Sequence, residues 1–354
     1  MADILTREES RVLLELCRAG RLYDIEKWIA SGKSLRVPIE CKKTALQVAL
    51  ETGFHSLVEL IARHESDQAA KNAALREAVE HARLDLVELL LANGADLRSV
   101  SFLRVLLSWD PRMIRFFLAE GADAFSGAPF AQAFEAKIRT AIGPFLEYKR
   151  AHPELAEQLQ GQLDSALRHF CREGSLKWVS LLLWAGANPR TKGPVVGKDY
   201  TNEPENFTTG LEEACYADSV DVLKKLKPDP SRDDLTLLLR RAAFMTRKEA
   251  ISYLLALGAN PNDQANGGST ALASCLADFR FGLPNSYSPL RPLYSVSCAL
   301  GCTQVLVEHG AQWRPNSPEE MKWIRRALLE CEADVTIEVL KLFTIRNACS
   351  KETM

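Results

Sequence analysis

The chain has 354 residues, with 44 Lys and Arg against 46 Asp and Glu, and so a formal net charge of −2. That balance offers no whole-chain electrostatic case for nucleic acid or an anionic membrane, and no run of 18 apolar residues exists to span a bilayer. Single cores stop growing near ~250 residues, so a chain this long either divides into several cores or stacks units that pack only on their neighbours.

The opening residues, MADILTREESR, lack a basic region followed by an apolar stretch, and no signal peptide is expected. Between residues 8 and 33, Leu13, Leu16 and Cys17 share a helix face and Gly20 breaks it. Leu22, Ile25, Trp28 and Ile29 then mark a second helix that stops at Gly32. The segment Ala73 to Asp96 repeats this plan. Leu75, Ala78 and Val79 form a short helix, Ala82-Arg83 is the break, and Leu84, Val87, Leu90 and Leu91 form a longer helix ending at Asn93-Gly94. At 98 to 124, Asp110-Pro111 replaces the usual turn, with Asp as N-cap and Pro at the first helical position. The stretch 128 to 156 lacks the glycine ending. Ser165 to Asn188 and Leu237 to Asn260 reproduce the spacing of 73 to 96 without a gap.

An apolar run leading into Gly-Ala recurs five times, as LLLANGAD, FFLAEGAD, LLLWAGANP, YLLALGANP and VLVEHGAQ, with glycines at 94, 121, 186, 258 and 310. The steps between them are 27, 65, 72 and 52 residues; two are close to twice 33 and the others fall near one short or one expanded unit, and a helix terminator recurring at that period marks a repeat architecture. The units resemble ankyrin repeats: Thr44-Ala45-Leu46-Gln47-Val48-Ala49 and Ser269-Thr270-Ala271-Leu272 look like the family's threonine-led opening. Gly20-Arg21-Leu22, Gly53 and Gly174-Ser175-Leu176 keep part of its inter-helix turn. The resemblance covers roughly residues 8 to 345. It implies an all-α solenoid of ankyrin type with short β-turn fingers. About ten helical pairs are expected, opening near 8, 40, 70, 98, 128, 162, 207, 234, 268 and 318, with capping repeats at 8–33 and 318–345 and repeats between them at 40–312. The Ala/Leu/Arg-rich composition and the degenerate repeats suit a bacterial member of the family.

Two insertions interrupt the period. The first, 190–207, is rich in Pro, Gly, Asn and charge and reads as an enlarged finger. The second, 279–297, carries three prolines with Phe279, Phe281, Tyr287 and Tyr294. Two readings stand for these aromatics: they cover exposed helix edges, or they form a partner-contacting loop.

Chemistry is sparse. His55, His64, His81, His152, His169 and His309 lie in separate units, and Cys298 and Cys302 have no companion pair to complete a zinc site. The nine cysteines read as reduced thiols packed as small apolar residues. Gly267-Gly268-Ser269 lacks the lysine of a P-loop, and no nucleophile elbow exists. Glu212-Glu213 and Glu319-Glu320 read as charges favouring helix N-termini. The basic pairs Lys224-Lys225, Arg240-Arg241 and Arg325-Arg326 read as solvated faces. No catalytic residue, cofactor or metal is expected.

In ankyrin-type proteins the partner is generally held by the fingers and the exposed end of each first helix. Carried onto this chain, that implies Glu51, then Glu80 and His81, then Arg172, Tyr216, Phe244, Met245 and Asp278, followed in the second insertion by Phe279, Phe281, Tyr287 and Tyr294. Two readings are open for Phe244 and Met245: an interface, or packing against the next unit. The expected function is a non-enzymatic module binding a protein or peptide, monomeric and cytoplasmic, with no nucleic acid or membrane partner. By family analogy this could be a host-directed effector or an inhibitor of a toxin. An enzyme built from the insertions around Asp199, Tyr200 and Glu203 is the alternative from another class, and a scaffold self-associating through Phe279 to Tyr294 is a third.

Overall fold

The structure, a computed structural model, describes residues 4–38, 40–194, 207–217, 220–263, 270–278 and 292–312. It divides into two compact units, Met1–Gln162 and Leu163–Met354, here unit 1 and unit 2. The described residues are helical, with one isolated antiparallel bridge, Gly193 to Thr208, as their only β pairing.

In unit 1 the helices come in pairs. These are α1 (Arg7–Arg18) with α2 (Leu22–Ala30), α3 (Ala45–Thr52) with α4 (His55–His64), α5 (Gln68–Glu80) with α6 (Leu84–Ala92), α7 (Phe102–Leu106) with α8 (Pro111–Ala119), and α9 (Pro129–Glu135) with α10 (Ile142–Ala151). First helices pack on first helices from α1 to α9, and α2, α4 and α6 pack in the same order. Each unit therefore buries its apolar face against its neighbours, as stacked repeats must.

Local sequence explains where the helices start. Thr6 and Thr44 close capping boxes with Glu9 and Gln47, while Asp67 and Asp110 cap α5 and α8 through their side chains. The turn inside each pair is closed by a left-handed residue: Gly20, Gly53, Ala82, Trp109 and Lys137 in unit 1, Gly174 and Thr246 in unit 2. After α6, Gly94 at φ 86° lets Ala95 N–H donate to the Leu90 carbonyl at 3.0 Å, which stops the helix. The 128–156 stretch has no such glycine; Phe102, Phe130, Phe134 and Phe145 hold it by ring contacts of 4.9 to 6.2 Å between centroids.

Unit 2 contains most of α11 (Ala156–Glu173), then α12 (Leu176–Trp184), α13 (Gly210–Ala214), α14 (Val220–Leu226), α15 (Leu235–Phe244), α16 (Lys248–Ala256), α17 (Ala271–Asp278) and α18 (Pro292–Glu308). Here α13 packs on α15 and α15 on α17, with α12, α14, α16 and α18 stacked beside them. The flanks of the first predicted insertion are tied together. Gly193 and Thr208 exchange backbone hydrogen bonds at 3.1 and 3.2 Å, and Arg168 donates to the carbonyls of Pro194 and Thr191. A Cβ on Gly193 would fall 2.6 Å from Arg168 Nη2, so a larger residue there would displace the guanidinium. Within the second predicted insertion, α18 begins at Pro292, and residues 292–297 are helical backbone. Proline at a first helical position loses no hydrogen bond, so it starts this helix instead of breaking it. The interior of the first insertion, most of the second, and the predicted pair at 318–345 lie outside the described residues.

Candidate functional site

Three successive first helices of unit 1 build a polar cleft of about 410 Å³. Lys43 and Gln47 come from the start of α3, Ala73, Arg76, Glu77, Glu80 and His81 from α5 and its C-cap, and Arg104 from α7. Most of its charges are matched inside the cleft. Lys43 pairs with Glu51 and lies 3.5 Å from Glu77, Gln47 Nε2 donates to Glu77 Oε2 at 3.0 Å, and Arg104 pairs with Glu80. The hydrogen bond to Glu51 holds the Lys43 ammonium above its ordinary pKa. The expected site residues Glu80 and His81 both line this cleft, and Glu51 joins it through Lys43.

The corresponding helix ends of unit 2 form a second cluster. Arg172 Nε lies 2.7 Å from Glu213 Oε2, an ion pair whose angle is not that of a hydrogen bond, and its guanidinium sits 4.6 Å from the Tyr216 ring centre. On the other side, Arg241 donates from Nη1 to the Tyr216 hydroxyl at 2.8 Å and pairs with Glu212 at 3.5 Å. Arg247 Nε donates to the Tyr216 carbonyl at 3.1 Å. Burial pushes the Tyr216 hydroxyl above its ordinary pKa. Glu212 caps α13 with Thr209, as first-turn carboxylates do. Glu213 does more than that: its side chain is only 1% exposed, and Thr208 Oγ1 donates to it at 2.6 Å.

Of the other expected residues, Phe244 ends α15 and is 52% exposed, so it is not packed as core; Met245, the C-cap, is half-buried. Asp278 is the last residue of α17 and Tyr294 lies in α18, but their side chains, like all of Phe279, Phe281 and Tyr287, fall outside the described residues.

The sequence reading passed over Arg76, Arg104 and Trp109, and it took Arg241 for part of a solvated face where the structure engages it with Tyr216 and Glu212. Choosing two positions before each turn ignored the helix neighbours one turn earlier. Arg76 and Glu77 stand four residues before Glu80 and His81, so they share that face. Trp109 occupies a turn position filled by glycine in three other units, at φ 59° and 50% exposed. A tryptophan at the position that Gly20, Gly53 and Gly174 fill in other turns was a readable signal.

Among the described residues no group of three or more His, Cys, Asp and Glu could hold a metal. The described cysteines are free thiols, and burial pushes Cys17 up to about 12 and raises Cys171 and Cys215 as well.

Residues 13–101 match the family model of ankyrin repeats, described as three copies. Among solved structures, the chain is similar to the ankyrin repeat domain of human ASB11, at 17% identity over 76% of this chain and 96% of that one, with a TM-score of 0.35. It is also similar to the ankyrin repeat domain of Bcl-3, at 17% identity over 93% and 97%, with a TM-score of 0.21. Both superpose poorly, so the fold is read from the helix pairs and the matched residues. No curated protein matches the sequence. The unit 1 cleft lies within the matched residues except for Arg104.

Proposed function

We propose that this chain, whose residues 13–101 match ankyrin repeats, is a non-enzymatic binding module that holds a partner protein or peptide across the turn-proximal ends of its first helices. Ankyrin repeats serve generally in protein–protein interaction. The observation that carries the reading is the cleft in which α3, α5 and α7 converge charged side chains on one open face. Stacking pre-organises such a face, so little ordering entropy is lost on binding.

The contacting residues we propose in unit 1 are Glu51, Glu80 and His81. In unit 2 they are Arg172, Tyr216, Phe244 and Met245, with Asp278, Phe279, Phe281, Tyr287 and Tyr294 following them in sequence. The free, buried thiols support a reducing compartment and hence the cytoplasm. Among the described residues no helix is long and apolar enough to cross a membrane. A monomeric state belongs to the same reading, as do an effector or inhibitor role, for which the support is family analogy alone.

The test uses the full chain as bait for affinity capture, beside a Glu80→Arg, His81→Glu variant. A partner retained by the parent and lost by the folded variant supports the reading. Identical captured sets, or turnover of a substrate by the purified chain, would overturn it.

A further inference from the structure

The binding cleft of unit 1 contains a cation with nothing to bind. Arg76 is half-buried in the middle of α5, and its side chain has no hydrogen bond or ion pair among the described residues. Its neighbours are differently placed. Lys43 is held by Glu51 and Glu77, and Arg104 by Glu80, so every carboxylate that lines the cleft already faces another cation or Gln47. A guanidinium presents five donors in a planar fork that fits a carboxylate through two parallel bonds. Part of its hydration is already removed here by the walls of the cleft. His81, five residues on at the end of the same helix, is exposed, and its ring likewise has no hydrogen-bond or ion-pair partner among the described residues.

We propose that the cleft receives an Asp or Glu side chain of a partner polypeptide, with Arg76 as its binding residue and His81 beside it. This inference rests on the reading of the chain as a binding module and adds the chemistry of what is bound. One carboxylate suits the site; a run of them does not. Glu77 and Glu80 line the cleft with Arg76, and Glu51 adjoins it through Lys43, so each further negative charge brought along the cleft meets like charge. The same repulsion argues against a nucleic-acid strand, whose phosphates come in series. An acid flanked by neutral or apolar residues is the favoured segment, since Leu107 and Trp109, both 50% exposed, follow Arg104 at the end of α7.

The experiment selects displayed random dodecapeptides on the intact chain and then measures synthetic versions of the enriched sequences. Enriched peptides should share an acid at one aligned position. Changing that acid to its amide should weaken binding about tenfold, and Arg76→Gln should do the same, with little further loss when both are combined. Arg76→Lys should keep part of the affinity, and Arg76→Glu should select peptides with Lys or Arg at the aligned position. Melting temperatures of the three variants should match the parent, because the Arg76 side chain holds no partner among the described residues. Peptides that bind Arg76→Gln as well as the parent, or that share no acid, would overturn the carboxylate assignment and leave the binding module standing. Failure to enrich any peptide would remove both. Selection of single-stranded oligonucleotides by the parent and not by Arg76→Gln would replace the peptide with nucleic acid.

Discussion

The first-helix ends of units 1 and 2 set arginines against glutamates, and they use the pairs differently. In unit 1 the Arg104–Glu80 pair is solvated, with side chains 51% and 53% exposed. In unit 2 the glutamates of the Arg172–Glu213 and Arg241–Glu212 pairs are 1% and 5% exposed, and both arginines are also engaged with Tyr216. An exposed pair contributes little to stability but leaves its charges open to a partner. A pair with a buried glutamate is costly to break, because removing one member strands the other. The same register in a repeat can therefore serve recognition in one place and internal order in another.

The largest effect that would break this contrast is at Glu213. Glu213→Ala should cost about 3 kcal/mol of unfolding free energy, because it leaves the Arg172 guanidinium and the Thr208 hydroxyl facing a gap. Glu80→Ala in unit 1 should cost less than about 1 kcal/mol. Urea denaturation of the two variants against the parent decides the matter: equal losses would mean that burial does not separate the two regions.

A second buried acid sharpens the point. Glu135 ends α9 in unit 1, and burial pushes its carboxyl from an ordinary 4.5 up to about 7. Below pH 4.5 it is protonated in both folded and unfolded chains. Between 4.5 and 7 the folded chain keeps a proton that the unfolded chain has lost, so its contribution to stability falls as pH rises, by about 3 kcal/mol in all. Glu135→Gln should remove that slope and be the more stable protein at pH 8. Unfolding curves at pH 5 and pH 8 with the same difference for parent and variant would contradict it.

Sequence carried much of this. The five recurring glycines at 94, 121, 186, 258 and 310 all have positive φ, and Thr44 forms the capping box its position promised. These features are local, and a few residues determine them. Pairings between repeats were not legible in the same way. That Arg104 meets Glu80, or that Glu213 lies buried between Thr208 and Arg172, depends on how neighbouring first helices pack. The helix that begins at Pro292 was not legible for a different reason: proline both ends loops and begins helices, and only the backbone of α18 shows which applies.

Trp109 offers a smaller test, with its sign reversed. Its φ of 59° places a bulky side chain in the left-handed region, where an L-residue costs roughly 1 kcal/mol relative to glycine. Half its surface is exposed, so it recovers only part of that cost by packing. Trp109→Gly should leave stability unchanged or raise it by up to about 1 kcal/mol. A loss of 2 kcal/mol or more in thermal unfolding would show that the ring is a packing residue, not a surface held out for contact.

The smallest change in stability is expected at Phe244, which brings the comparison back to unit 2. It closes α15 three residues beyond Arg241, yet it is 52% exposed where the cluster beside it is buried. If unit 2 spends its charges on internal order, an exposed aromatic is what remains there for a partner, and exposed aromatics at interfaces are enriched among the residues that dominate binding. Phe244→Ser should shift unfolding by about 0.5 kcal/mol or less, while the affinity for a captured partner falls by about 2 kcal/mol if the ring is an anchor. Thermal melts and titration calorimetry on the same preparation separate the outcomes. A large stability loss with unchanged affinity per folded molecule would make Phe244 a packing residue despite its exposure. A change in neither quantity would leave binding to the unit 1 cleft, and recognition and cohesion would then be divided between the two units.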